Sequence, residues 1–262
     1  MKVILSRKGF DSTSGGIPSP IIDNTLIPMP IPSIEDNLTY KDLFFQDKTY
    51  EEILHDLAPN RTFNTCHMDP DLSCTNRVRP IDGWSPAFGQ VDAAQGILHK
   101  NSVGIGDIFL FFGWFRKAEL MTNGHYRYVP GNNDFYDSSD LQVIYGYMEV
   151  GDILFEQKEI ERRYPWHPHS NYGSKRTNTL YLPSKAFSLM NKPSFGILKY
   201  DKKRVLTKEG SPRSIWHNPL LIHPNRRNSK EAPDIFYKGR WQELVFEASD
   251  KLIEWVKGII SD

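Results

Sequence analysis

The sequence CHMDPD at residues 66–71 contains the residue types that metal or acid–base chemistry needs. In an extended backbone alternate side chains point to one face, so His67, Asp69 and Asp71 would converge. Imidazole and carboxylate groups bind divalent cations, and the same trio can act as a base with its orienting groups. We therefore predict catalytic and metal-binding roles for these three residues, with a divalent metal as the cofactor. A local Asp-Pro-Asp turn is the alternative interpretation.

A second candidate site is the sequence SRKGFDSTSGG at residues 6–16, which follows a short apolar run. Its two cations supply charge-assisted hydrogen bonds, and its glycines allow backbone N–H groups to approach an anion closely, so the segment suits a phosphate. It matches neither G-x-x-x-x-G-K-[ST] nor G-x-G-x-x-G, and a solvated turn is the alternative. The predicted phosphate ligands are Arg7, Lys8, Ser12, Gly15 and Gly16, and Asp11 is a further catalytic candidate.

Two aromatic and histidine-rich segments are weaker candidates. Arg213, Trp216 and His217 are close in sequence and together could stack on a base and pair with a phosphate, although core packing explains a tryptophan equally well. In the sequence PWHPH at residues 165–169, two histidines at i and i+2 could share a face with Tyr172. Without a third ligand nearby this pair is a weak metal signal, and a surface loop is the alternative.

The elements that must position these residues indicate an α+β protein. Aromatic and β-branched residues predict strands at 108–115 and 141–150, joined by a polar segment, with a further strand at 2–5. Weaker strand candidates are 177–182 and 196–200. Helices are predicted at 40–57, at 90–99 and, as an amphipathic C-terminal helix, at 242–260. The first of these helices has a possible break at 47–49. Residues 60–90 lack periodicity and are predicted to form a long functional loop. The expected core is a β-rich mixed sheet or a barrel-like sheet with flanking helices.

Length and charge restrict the possible functions. A chain of 262 residues fits one domain over 1–262. Its 32 Lys and Arg residues balance 32 Asp and Glu residues, so no overall electrostatic field attracts nucleic acid or an acidic membrane. Contact with nucleic acid would therefore need a local patch.

The two cysteines and the hydropathy pattern indicate a cytoplasmic protein. Cys66 and Cys74 have the spacing of neither a zinc ribbon nor a disulfide framework, so we expect free thiols in a reducing compartment. No segment approaches the roughly 20 apolar residues of a membrane span, and we expect no membrane partner.

Several long strings in the chain resemble the nucleotide modification associated domain family, the third of that series. The strings are SRKGFDSTSGGIPSPI, HMDPDL, GDIFLFFGWFR, QVIYGYMEVGDI, NTLYLP, SIWHNP and RWQEL. The resemblance implies a bacterial or phage protein associated with DNA modification or phage defence, with a nucleotide or nucleic acid as its partner. The characteristic strings fall on Arg7, Lys8, Asp11, Gly15, Gly16, His67, Asp69, Gln90, Gly113, Trp114 and Trp216. Gln90 and Trp114 therefore join the predicted substrate-binding residues.

A narrower likeness links GDIFLFF and VIYGYMEVGDI to the strand pair of PUA-like barrels, which hold a base in an aromatic-walled pocket. It implies a base pocket near Trp114, Tyr145 and Tyr147. The leading hypothesis is an enzyme, a transferase or hydrolase acting on a nucleotide or a nucleic-acid base, and the alternative is a non-catalytic reader of modified bases in DNA. A third hypothesis, an interaction protein, predicts a large apolar patch and no small ligand.

Overall fold

The computed structural model describes residues 1–131, 134–173, 177–217, 234–237, 239 and 242–261. Within these residues the strands coincide with β-branched and aromatic runs bounded by glycine, proline and polar turns. The strands are β1 Lys2–Arg7, β2 Ser19–Ile22, β3 Thr25–Leu26, β4 Ile31–Pro32, β5 Phe44–Phe45, β6 Lys48–Thr49, β7 Cys66–His67, β8 Phe88–Val91, β9 Ile108–Leu120, β10 Tyr126–Tyr128, β11 Leu141–Leu154, β12 Asn178–Pro183, β13 Phe195–Ile197, β14 Ile215–His217, β15 Asp234–Phe236 and β16 Glu243–Glu247.

The described helices flank these strands. They are α1 Tyr50–Leu57, α2 Asp92–Lys100, α3 Phe135–Ser138, α4 Gln157–Arg163 and α5 Asp250–Ile260, with 3₁₀ helices at Tyr40–Asp42, Pro168–Asn171 and Lys202–Arg204. None of the helices in the described parts of the chain combines the length and apolar character required to cross a bilayer.

Ten strands form the main sheet, whose central path runs β16-β1-β9-β11-β12-β8. β1 is parallel to β9 and antiparallel to β16, so the sheet is mixed. The sheet is not closed. The predicted α+β class is confirmed, and of the two expected cores the mixed sheet is present and the barrel-like core is not.

Both faces of the central strands are buried, because their side chains alternate between two hydrophobic clusters. Val3 and Leu5 of β1 pack in one cluster, which α5 covers, whereas Ile4 packs in the other, with Leu98 of α2. β9 alternates in the same way along its buried half. The sheet is therefore a rigid inner layer, and the polar residues that follow its strands lie at the ends of this layer.

The predicted helix at 242–260 is wrong over its first half. Residues 243–247 form β16, which pairs with β1, and the helix begins only after Ser249, whose side chain accepts a hydrogen bond from Leu252 N. Leu244 and Val245 pack in opposite hydrophobic clusters, as neighbours on a strand do. Their spacing also fits a helical stripe, and pairing with a distant strand decides between the two.

The predicted helix at 40–57 is interrupted where the sequence indicated a break. Residues Tyr40–Asp42 form a 3₁₀ helix, the hairpin of β5 and β6 follows, and α1 begins after Thr49. Thr49 and Glu52 form a capping box, in which each side chain bonds the backbone N–H of the other. The helix at 90–99 is confirmed as α2, although Gln90 itself lies on β8.

Candidate functional site

A cavity of about 420 Å³ lies where β1, β7 and β8 end. Its lining comes from distant parts of the chain and includes Arg7, Lys8, Asp11, Ser14, His67, Asp69, Gln90, Asp92, His169 and Tyr172. The two polar segments singled out from the sequence meet here, since Lys8 Nζ lies 3.5 Å from Asp69 Oδ2.

Lys8 is held by the end of β1. Its backbone N–H donates to the Phe112 carbonyl at 2.9 Å, and its ammonium group lies 4.2 Å from the centroid of the Phe88 ring. The Lys8 and Asp69 side chains are only 9% and 4% exposed. A buried charge pair of this kind is costly unless both charges have partners, so its presence in the cavity lining makes this cavity a candidate functional site.

Asp69 is the centre of the cluster. Its Oδ1 accepts a hydrogen bond from Gly89 N at 2.6 Å and lies 3.6 Å from His167 Nε2. Burial alone would raise the pKa of Asp69, but the charge of Lys8 and then the nearby histidines outweigh it and lower that pKa. A side chain at position 89 would place its Cβ 2.3 Å from the His169 ring, so glycine is required for this packing.

A chain of hydrogen bonds fixes which nitrogen of His169 carries the proton. Gln157 Nε2 donates to the Ser170 carbonyl, which leaves Gln157 Oε1 to accept from Asn178 Nδ2 at 2.8 Å. Asn178 Nδ2 also donates to the His169 carbonyl, so Asn178 Oδ1 is the atom that faces His169 Nδ1, at 2.6 Å. His169 Nδ1 must then be the donor, and His169 Nε2 presents a lone pair.

His67 is oriented by a carboxylate in the same manner. Asp36 Oδ2 lies 2.9 Å from His67 Nδ1. Burial would raise the pKa of Asp36, but hydrogen bonding from His67 and Ser33 outweighs it, and the pKa is lowered. Ionised Asp36 accepts the Nδ1 proton, and His67 Nε2 is left free to accept a proton or bind a metal.

His67, Asp69 and His169 each offer one ligand atom, and these atoms all lie within 4.8 Å of one another. His169 Nε2 lies 3.9 Å from Asp69 Oδ2. Burial lowers the pKa of His169 to about 4, with Asp69 opposing the shift, so the ring is neutral near pH 7. Two imidazoles and one carboxylate are a ligand set suited to zinc, manganese or iron.

His167 belongs to the cluster but presents a different atom. Its Nδ1 accepts a hydrogen bond from His169 N at 3.3 Å, and burial lowers the pKa of His167 to about 3. The neutral ring therefore carries its proton on Nε2, which faces Asp69 Oδ1. The 3.6 Å separation is longer than a hydrogen bond, and His167 Nε2 has no hydrogen-bond partner among the described residues.

Asp71 does not share a face with His67 and Asp69, contrary to the alternation expected from sequence. β7 ends at His67, and the Asp71 carboxylate accepts from Arg77 Nη2 at 2.7 Å and Trp84 Nε1 at 3.0 Å. Burial raises the pKa of Asp71 to about 6 against the opposing charge of Arg77. Asp71 lies outside the cavity lining and the metal-ligand cluster, and its place in the predicted ligand set is taken by His169.

Gly15 and Gly16 pack against protein and do not line the cavity, whereas Gly9 does line it. A Cβ at Gly15 would lie 2.3 Å from the Phe10 ring, and Gly16 N donates to the Asp11 carbonyl. The expectation that their amides face a phosphate therefore does not match the geometry. Asp11 does line the cavity, where it pairs with Arg7 at 2.8 Å and accepts bonds from Thr13 and Ser14.

A second cavity of about 400 Å³ lies on the other side of Arg7 and Asp11. Trp114, Ser12 and Arg213 line it, and Arg213 Cζ lies 3.7 Å from the centroid of the Trp114 ring. These three predicted substrate-binding residues are therefore neighbours.

The other aromatic predictions are not supported. Tyr145 and Tyr147 are buried in separate hydrophobic clusters and do not line the Trp114 cavity. Trp216 is fully buried and stacks on Tyr237 at 4.4 Å, so the core interpretation of this residue is the one observed. His217 is exposed on β14 and lines neither cavity.

A buried hydrogen-bond network centred on Glu243, which the sequence did not predict, lies next to the cavity. Glu243 Oε1 accepts from Ser6 Oγ at 2.9 Å and from Gln90 Nε2 at 2.6 Å. Burial raises the pKa of Glu243 to about 7, with Lys8 opposing the shift. Gln90 lines the cavity, so this network fixes one of its walls.

The sequence contained only a weak indication that His167 and His169 belong to the site. His167 and His169 were noted as a pair near Tyr172, and Tyr172 does lie beside both His67 and His169, with ring centroids 6.1 and 4.7 Å apart. The surface-loop interpretation is wrong, because the exposed fractions of His167 and His169 are 0% and 2%. Asp36 and Asn178 carried no sequence signal.

The profile of a family described as nucleotide modification associated domain 3 matches residues 2–252. The chain belongs to this family. The match covers both cavities and the central sheet, so the geometry described here is that of the nucleotide modification associated domain itself. No curated protein and no solved structure shows significant similarity to the chain. The family description associates the domain with nucleotide modification and names no reaction.

Proposed function

We propose that the protein is a metal-dependent enzyme that modifies a nucleotide or a nucleic-acid base. In this proposal His67, Asp69 and His169 hold a divalent cation at the floor of the first cavity. Arg7 and Lys8 bind the phosphate of the substrate beside it.

One observation carries the proposal: the lone pairs of two imidazoles and a carboxylate oxygen converge within 4.8 Å, and both imidazoles are fixed through their other nitrogen. Metal-binding histidines usually have such a partner, which sets the tautomer and the ring orientation. A histidine cluster that served packing alone would not require ligand atoms of two imidazoles to lie within 4.8 Å of one carboxylate oxygen.

Two basic and three acidic side chains line the cavity, so a bound divalent cation would give it the net positive charge that suits an anionic substrate. A cation bound at Asp69 would replace Lys8 as its counter-charge, and the Lys8 ammonium group, which lies 3.5 Å from the carboxylate, would become available to a phosphate oxygen. The metal would supply Lewis-acid polarisation or an activated water, as transferases and hydrolases require. Asp11 keeps Arg7 directed along the cavity wall through their ion pair.

The first test measures metal binding by calorimetry with Mn²⁺, Zn²⁺ and Mg²⁺ added to protein stripped with EDTA. We expect one ion per chain, and we expect His67→Gln or His169→Gln to weaken binding by about 100-fold or more, because each removes a direct ligand rather than an outer partner. The exposed His99 provides the matched control, and His99→Gln should bind like the wild type. Failure of all three ions to bind at millimolar concentration would refute the metal proposal.

The second test measures catalysis. Nucleotides and single-stranded oligonucleotides are incubated with metal-loaded protein, and products are followed by mass spectrometry. The proposal expects a mass change that disappears in His169→Gln and persists in His99→Gln. Tight binding of a modified oligonucleotide with no product under any metal condition would favour the alternative of a non-catalytic reader, for which the second cavity is the candidate pocket.

A further inference from the structure

The second cavity has the dimensions and lining of a site for a small organic molecule. Its volume of about 400 Å³ falls within the range of known ligand sites. Arg7 and Asp11 border both this cavity and the candidate metal cavity, so the two spaces adjoin at one ion pair. A molecule in the second cavity would therefore lie beside the proposed reaction site.

Three residues that line the second cavity have buried polar atoms with no hydrogen-bond partner among the residues that the structure describes. These atoms are Trp114 Nε1, Gln142 Oε1 and Arg213 Nη1. Gln142 is only 5% exposed and lies directly opposite Trp114 on the neighbouring strand. Buried polar atoms in folded proteins are nearly always paired, and an unpaired one costs free energy unless a ligand or water completes it. The cavity thus offers two donors and one acceptor that lack partners.

Arg213 forms a flat cationic wall of the cavity. Its guanidinium carbon lies 3.7 Å from the Trp114 ring centroid, and its Nη2 donates to Ser12 Oγ at 2.5 Å. Arginine held against an indole presents a planar surface on which an aromatic ring can stack. Burial lowers the pKa of Arg213, which is opposed by the negative charge of Asp140.

We propose that the second cavity is a nucleobase site, in which the base of a nucleotide stacks on Arg213 and pairs with Gln142 and Trp114. A base edge carries both acceptors and amino or imino donors, and so matches two donors and one acceptor. Inorganic phosphate, which offers mainly acceptors, would leave Gln142 Oε1 unmatched. The placement of the phosphate toward Arg7 and the metal rests on the proposed function; the base site itself does not.

The test measures binding by calorimetry in EDTA, so that the metal centre plays no part. The four nucleoside monophosphates, the four nucleosides and a single-stranded oligonucleotide of mixed sequence are titrated into the full chain. We expect at least one nucleoside to bind, and we expect Gln142→Met and Trp114→Phe each to weaken it about 3- to 10-fold, since each removes one hydrogen-bonding group. Methionine also keeps the approximate size of glutamine, and phenylalanine keeps an aromatic ring at position 114, although a smaller one. The matched control is Trp255→Phe, because Trp255 is also partly buried but packs against the hydrophobic cluster that α5 covers. This variant should bind the nucleoside like the wild type.

The outcomes separate this inference from the proposed function. Loss of metal binding in His169→Gln with unchanged nucleoside binding supports two distinct sites. Nucleoside binding in a protein that binds no metal supports the base site and refutes the metal proposal. If no nucleoside, monophosphate or oligonucleotide binds, or if Gln142→Met and Trp114→Phe bind like the wild type, the base site is overturned. Binding of monophosphates but not of the oligonucleotide identifies a free nucleotide as the source, and the reverse identifies a base within a strand.

Discussion

At the scale of single residues, Asp36 is the clearest test of how the candidate metal centre is oriented. Its carboxylate accepts the Nδ1 proton of His67 but touches no other residue of the ligand trio. Asp36→Asn weakens the acceptor and should reduce metal affinity about 10- to 100-fold, the range found for such partners. The exposed Asp82 supplies the control variant Asp82→Asn. Calorimetry with Mn²⁺ measures both, and equal affinity in the two variants would contradict the assigned role of Asp36.

The buried Glu243 predicts how stability depends on pH. Burial raises the pKa of Glu243 from 4.5 to about 7, so between these values the folded chain binds more protons than the unfolded chain. The free energy of unfolding therefore falls as pH rises through this window; the contribution is fully present below pH 4.5 and is lost by about pH 7. Glu243→Gln cannot ionise and should be more stable than the wild type at pH 8 by on the order of 2–3 kcal/mol, with little difference at pH 4.

Urea unfolding at pH 4, 6 and 8 measures this difference. Glu247 lies on the same strand but is exposed, so Glu247→Gln should follow the wild type at each pH. A constant difference between Glu243→Gln and the wild type across the three pH values would show that Glu243 does not titrate in this window.

The candidate site could be predicted from sequence only in part, and the reason is visible in its ligands. His67 and Asp69 are close in sequence and carry a recognisable pattern, whereas His169 is a hundred positions further on and is brought in by a 3₁₀ helix. Asn178 and Gln157 act only through their hydrogen bonds, which no pattern of residue types encodes. Asp71 fits the sequence pattern, but its carboxylate forms an ion pair with Arg77. The spacing of the two residues in the sequence does not predict this ion pair.

At the scale of elements, the capping box of α1 predicts a local effect on stability. Thr49 and Glu52 satisfy backbone N–H groups at the first turn, and α1 lines neither cavity. Thr49→Ala should lower the free energy of unfolding by about 1 kcal/mol and leave metal and nucleoside affinity unchanged. Urea unfolding measures the loss, with Thr62→Ala, at an exposed loop position, as the control. A change in ligand affinity would contradict the separation of α1 from the site.

The elements also show what periodicity can and cannot predict. The strands β9 and β11 are predicted over 108–115 and 141–150, where aromatic and β-branched residues are frequent, and in the structure they continue through polar residues to Leu120 and Leu154. Residues 243–247, which form β16, are included in the predicted helix because Leu244, Val245 and Ala248 continue the apolar stripe of the C-terminal helix, and the pairing with β1 shows that they are a strand. A single sequence does not show that Lys2 pairs with Glu247 and Ser6 with Glu243, at opposite ends of the chain.

At the scale of the whole molecule, the order of the main sheet predicts cooperative unfolding. β1 is hydrogen-bonded to β9 on one side and to β16 on the other, so residues near both ends of the chain share the central sheet. β1, β9 and β16 each contribute residues to both hydrophobic clusters, so separating these strands would expose both, and we expect a single unfolding transition. Scanning calorimetry checks this through equal calorimetric and van't Hoff enthalpies, and two resolved transitions would show a second folding unit.

The ion pair between Arg7 and Asp11 has a thermodynamic consequence, because it forms part of the wall of both cavities. An ion or molecule entering either space changes the field felt in the other, which makes the two occupancies linked equilibria. Reciprocity then requires that whatever factor a cation contributes to nucleoside affinity, the nucleoside contributes to cation affinity. Asp11→Asn removes the negative charge that both cavities share, and it should change the factor by which the cation and the nucleoside alter each other's affinity. The change in this factor should be the same whether the cation or the nucleoside is added first.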